Sequence, residues 1–127
     1  MTQTPFTHRI LVLDAITCFA MGGLLMAAAT PLAELLAIPR TILFEAGLTL
    51  IPFALFVLWA AGRLGESTAP TRAVAWINLT WVAASIALFA FIAPNPLGAS
   101  FILAQAIAVA ILAMLEFKGI ARTRAAV

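Results

Sequence analysis

The sequence predicts an all-α integral membrane protein, an antiparallel four-helix bundle with both termini in the cytoplasm. Three observations carry that expectation. Hydrophobic residues make up 65% of the chain and charged residues only 9%, against about 25% charged in soluble domains. The apolar residues gather into four runs near the length of about 20 residues that crosses a hydrocarbon core. The basic residues cluster at alternate ends of those runs. A water-soluble domain of 127 residues has too little interior to hide so much apolar surface, and the mean hydropathy of +1.14 points to lipid as the solvent of a single transmembrane domain, residues 1–127.

The first span, residues 10–30, reads ILVLDAITCFAMGGLLMAAAT. Its length and the internal Asp14 distinguish it from the apolar core of a cleaved signal peptide. PLAELLAIP follows, and a short helix over 31–38 is expected to lie on the membrane surface. Pro31 suits its first turn, and Leu32, Leu35, Leu36 and Ile38 offer an apolar side to lipid. The second span, 41–61, carries Glu45, Thr49 and Pro52 among apolar residues. GRLGESTAPTR is a polar, glycine-bearing loop. The third span, 73–93, has Asn78 as its most polar residue. PNPLG then makes a tight turn, and the fourth span covers 98–118.

Topology follows from lysine and arginine. Arg9, Arg63, Arg72, Lys118, Arg122 and Arg124 fall on one side of a four-span arrangement, and Arg40 alone on the other. The positive-inside rule places the larger group in the cytoplasm. The expected location is therefore a bacterial cytoplasmic (inner) membrane, as a multi-pass protein.

With a rise of about 1.5 Å per residue, the intramembrane polar groups sort by depth. Asp14, Asn78 and Glu116 share an inner layer. Glu45, about 7 Å below the outer surface, and Gln105, about 10 Å below it, share an outer one. A lone charge at mid-bilayer costs roughly 2.5–3.5 kcal/mol on insertion scales, so all five are expected to face neighbouring helices. In the second span Glu45, Thr49, Pro52 and Phe56 form one stripe at helical spacing. Glu45 suits three roles: a proton or cation site, a hydrogen-bonded carboxyl that fixes helix register, or a partner for Arg40. Asp14 and Glu116 each have a basic residue nearby in sequence, Arg9 and Lys118, and pairing with these is the simplest expectation. Pro52 removes a donor from its helix and frees the carbonyl of Leu48.

The remaining motifs exclude more than they assign. A net charge of +2 without a basic cluster gives no nucleic-acid footprint. His8 is the only histidine and Cys18 the only cysteine, so neither a histidine–cysteine metal site nor an internal disulfide is expected. GRLGES lacks the lysine and spacing of a phosphate loop. No cofactor is indicated, and no catalytic constellation appears. The expected role is a non-enzymatic accessory or assembly subunit that associates with itself or with a larger integral membrane complex. The alternative is a homodimeric small-solute or proton-coupled transporter using Glu45, with Asp14, Asn78, Gln105 and Glu116 as further members of an intramembrane polar site. An apolar ligand such as a quinone or carotenoid also fits, in a groove lined by Trp81 and phenylalanines.

Overall fold

The computed structural model describes the backbone over residues 4–126 and side chains over 5–122. Five α-helices follow in order: α1 Thr4–Ala27, α2 Ala29–Leu36, α3 Arg40–Gly62, α4 Ala69–Ala87 and α5 Pro96–Ala126, with a 3₁₀ turn, Leu88–Ala90, extending α4. Four of them are long and apolar enough to cross a membrane, over Pro5–Ala27, Arg40–Gly62, Ala69–Ala90 and Pro96–Arg122. Helices outrun the apolar runs at several ends. Hydropathy marks where lipid ends, and a helix continues into water when its residues permit. The side chain of Arg124 lies outside the described residues.

The breaks have local causes. Ala28 turns the chain between α1 and α2 while hydrogen bonds run on across the corner, from Ala28 N to Leu24 O (2.9 Å) and from Leu32 N to Ala28 O (3.0 Å). Pro31 falls in the first turn of α2, where amides lack intrahelical acceptors. α2 ends at Ala37, which takes the left-handed conformation (φ 55°, ψ 42°), and Pro39 then starts α3. Asn95 begins α5. Its Oδ1 accepts from the Gly98 amide at 2.8 Å, an N-terminal cap, with Pro96 in the first helical position. The Asn95 side-chain nitrogen also donates to the Leu35 carbonyl at 2.8 Å, tying the end of α2 to the start of α5. Gly98 is required at this junction, because a Cβ there would run into the Leu36 carbonyl oxygen.

α1 and α3 pack against each other most extensively, α4 and α5 next, and the α1–α5 and α3–α4 contacts are smaller. The bundle is thus two helix pairs laid side by side. The α1–α3 seam closes at two glycines. A Cβ on Gly47 would sit 2.7 Å from the Gly22 carbonyl oxygen, and one on Gly22 would sit 3.0 Å from that of Gly47. Small residues permit such close approach between membrane helices. One apolar cluster, around Leu25, Leu43, Leu50 and Ile102, fills the end near α2. A second, around Leu11, Ala15, Val57, Ala60 and Val74, fills the other end.

α3 continues as one helix through Pro52. Its buried face is Leu43, Gly47, Leu50, Ala54, Val57, Ala60 and Ala61. Glu45, Thr49 and Pro52 are exposed, which corrects the expectation that their stripe faces the bundle. The reason is the glycine crossing. Gly47 must meet α1, and Glu45 stands two residues away, about 200° around the helix.

Candidate functional site

The inner polar layer is a single hydrogen-bonded group. Asp14 on α1 is 1% exposed, Asn78 on α4 3% and Glu116 on α5 0%. The Asn78 side-chain nitrogen donates to Asp14 Oδ2 at 2.8 Å and to Glu116 Oε1 at 2.9 Å. An amide nitrogen carries two hydrogens and so serves two acceptors. Cys18, one helical turn after Asp14, donates its thiol to Asp14 Oδ1 at 3.5 Å. Glu116 Oε2 is buried, and the Glu116 carboxyl lies in hydrogen-bonding contact with Asp14.

Neither carboxylate pairs with a basic side chain. The ion pair formed among the described residues is Arg63–Glu66, at 3.2 Å on the loop after α3. Arg9 and Lys118 are exposed, so the expected Asp14–Arg9 and Glu116–Lys118 pairs do not form. Burying Asp14 and Glu116 points them away from the membrane boundary where those cations sit. Two unit negative charges about 4 Å apart repel by about 4 kcal/mol at an effective dielectric constant near 20. One amide cannot offset that. The group thus brings two carboxyls together in a buried setting without a cationic side chain beside them among the described residues.

A second polar group lies one to two turns away along α4 and about three turns away along α5. Trp81 donates its indole N–H to Gln105 Oε1 at 2.8 Å. The Gln105 nitrogen donates to Ser85 Oγ at 2.9 Å and to the Ile102 carbonyl at 2.9 Å. Gln105 therefore finds its side-chain partners on α4. Glu45, placed at a similar depth by sequence, is on the outside of α3, and its carboxylate makes no hydrogen bond or ion pair among the described residues.

Between the two helix pairs lies a cavity of about 310 Å³, lined by side chains of α1, α3, α4 and α5 and by Ile38. Small-molecule sites span roughly 300–1,000 Å³. Its walls are almost wholly apolar: Met21, Leu25, Ile42, Ala46, Leu50, Phe101 and Leu112 among others. The polar group at one end is Asp14, with Thr17 and Cys18 beside it, and Ser85, Gln105 and Trp81 form the polar patch on one wall. α3 contributes only apolar side chains. Two of the lining residues, Thr17 on α1 and Ala108 on α5, are exposed.

Sequence reasoning grouped Asp14, Asn78 and Glu116 and separated Gln105 from them. It did not find Ser85 and Cys18 as hydrogen-bonding members. The available signal is spacing: Cys18 is four residues from Asp14, and Ser85 four from Trp81. No group of three or more histidine, cysteine, aspartate or glutamate residues able to hold a metal ion occurs among the described residues. Comparison with protein-family models, with curated proteins and with solved structures found no match. The protein is a helical membrane protein without an evident catalytic or metal-binding arrangement among the described residues, and the cavity and the buried carboxyls are its distinguishing features.

Proposed function

We propose that the protein is a non-enzymatic, multi-pass protein of a bacterial inner membrane that binds a small lipophilic molecule between its two helix pairs. The cavity carries this reading. It has the volume and the apolar walls of a ligand site, with a few polar groups gathered at defined positions, as such sites do. Its exposed lining residues belong to spans, so the route in is from lipid. The proposed orientation is antiparallel with both ends cytoplasmic. In its support, Arg9, Arg63, Arg72, Lys118 and Arg122 are all exposed at the cluster around Leu11 and Val57, and Arg40 is exposed at the opposite end, the bias that sets orientation.

The test uses neopentylbenzene, a compact neutral hydrocarbon, and the protein in phosphatidylcholine nanodiscs. Saturable binding above that of protein-free discs is expected. Ala46→Phe, which fills the cavity from α3, abolishes it. Partition that never saturates, or that Ala46→Phe leaves unchanged, refutes the reading.

A second reading, assembly with another copy of the chain, is favoured by Glu45. An exposed carboxylate within a span costs about 2.5–3.5 kcal/mol near the bilayer centre, less where it lies shallow, and a neighbouring subunit relieves that cost. Light scattering in mild detergent is expected to give a dimer that Glu45→Leu changes in stability or dissociates. A monomer in both proteins sinks it.

A further inference from the structure

The cavity and the buried carboxylates are one site seen from two sides. Asp14 belongs to both: it closes one end of the cavity and shares Asn78 with Glu116. Among the described residues no cationic side chain reaches the pair, and the fully buried Glu116 carboxyl lies in hydrogen-bonding contact with Asp14. The apolar wall includes two aromatic rings, Trp81 and Phe101. Aromatic faces attract cations through the ring quadrupole, most strongly when water is excluded. The Trp81 ring is held by its bond to Gln105, so its orientation does not depend on a ligand.

We propose that the cavity binds a lipophilic organic monocation whose positive charge is received by the Asp14–Glu116 pair. This rests on the reading of the cavity as a ligand site and names the chemical class of its occupant. A quaternary ammonium or protonated amine with a compact hydrocarbon body suits the Asp14 end: hydrocarbon against Met21, Leu50 and Leu112, the charge at Asp14, and the Trp81 ring on the same cavity wall. A neutral lipid uses the walls and makes no use of the carboxyls. An anion is repelled. When the cation enters, the proton held by the pair leaves, so the two compete for one position. The groups that face the pair are Cys18 from α1 and Asn78 from α4. α3 turns no titratable group toward the pair, and the other described charged or titratable side chains of the helices and their ends, His8, Arg9, Glu34, Arg40, Glu45, Arg63, Arg72, Lys118 and Arg122, are all exposed.

Benzyltrimethylammonium and neopentylbenzene have the same shape and differ by one positive charge. Binding of each to the protein in phosphatidylcholine nanodiscs is measured by equilibrium dialysis against protein-free discs. The cation is expected to bind saturably, at least tenfold more tightly to the wild type than to the Asp14→Asn, Glu116→Gln double variant. Neopentylbenzene is expected to bind both proteins alike, which also shows that the double variant is folded. In the wild type, acidification weakens binding of the cation and leaves the hydrocarbon unaffected. If the hydrocarbon binds and the cation does not, or if the cation binds independently of both carboxyls and of acidity, the proposal is wrong while the cavity reading stands. If neither probe binds, both are wrong.

Discussion

Replacing Asn78 by alanine tests the arrangement of the buried carboxyls most directly. The substitution removes two hydrogen bonds of 2.8 and 2.9 Å and leaves Asp14 and Glu116 facing each other without a shared donor. Side-chain hydrogen bonds inside membranes contribute about 0.6 kcal/mol on average and up to about 1.7. Bonds to charged groups in proteins reach about 1.5–3 kcal/mol. Asn78 has two such bonds in an almost fully buried position, so a loss of about 2–3 kcal/mol is expected. The same change in a Glu116→Gln background removes less. The introduced glutamine brings its own amide donor for Asp14, and only one carboxylate remains to be satisfied. There the expected cost of Asn78→Ala is about 1 kcal/mol, giving a coupling of at least about 1 kcal/mol in the double-mutant cycle. The space left by the lost amide is common to both backgrounds and cancels. Reversible unfolding in mixed micelles with increasing dodecyl sulfate measures all four proteins. Equal losses in the two backgrounds, or an Asn78→Ala protein within about 0.5 kcal/mol of wild type, refute the bridged-carboxyl arrangement.

Three further outcomes follow from particular contacts. Gly47→Ala places a Cβ against the Gly22 backbone oxygen and should destabilise by about 1–3 kcal/mol, whereas Gly23→Ala, with nothing within 4 Å of its new Cβ, should be neutral or gain up to about 1 kcal/mol from helix propensity; the same unfolding assay reads both. Ala37→Gly should stabilise by roughly 1 kcal/mol, because alanine bears the steric cost of a left-handed conformation there, and a thermal melt in detergent checks it. Asn95→Ala removes both the cap of α5 and the tie to α2, with an expected loss of about 1–2 kcal/mol and faster amide exchange at Gly98.

The number of spans and the company of Asp14, Asn78 and Glu116 were legible in the sequence because each rests on a count of residues along a helix. Run length gives the spans. Distance from the nearest basic boundary gives depth, and depth brought the three inner polar residues together. The direction a side chain faces was legible only in part. For a soluble helix the polar face identifies the outside. In a membrane both the lipid side and the packed side of α3 are apolar, so Glu45 was the most visible mark on the helix and it pointed the wrong way. Gly47 was the better guide, since a glycine in mid-span marks where another backbone comes close. The hydrogen bonds of Cys18 and Ser85 were not legible for a different reason. Both are small residues of ordinary type: Cys18 matters only once Asp14 is known to be buried, and Ser85 only once α4 and α5 are set side by side.

The division of the bundle into two helix pairs has a mechanical consequence. Glycine contact locks α1 to α3, and the Trp81–Gln105–Ser85 chain locks α4 to α5. The bond from Asn78 to Asp14 runs from one pair to the other beside the cavity, while Asn78 and Glu116 stay together within the second pair. Whatever weakens Asp14 as an acceptor loosens the joint between two otherwise stiff halves, without unpicking either of them. The seam between the halves is thus the part of the molecule whose cohesion depends on the state of a carboxyl, while the tie from Asn95 to Leu35 holds at the far end.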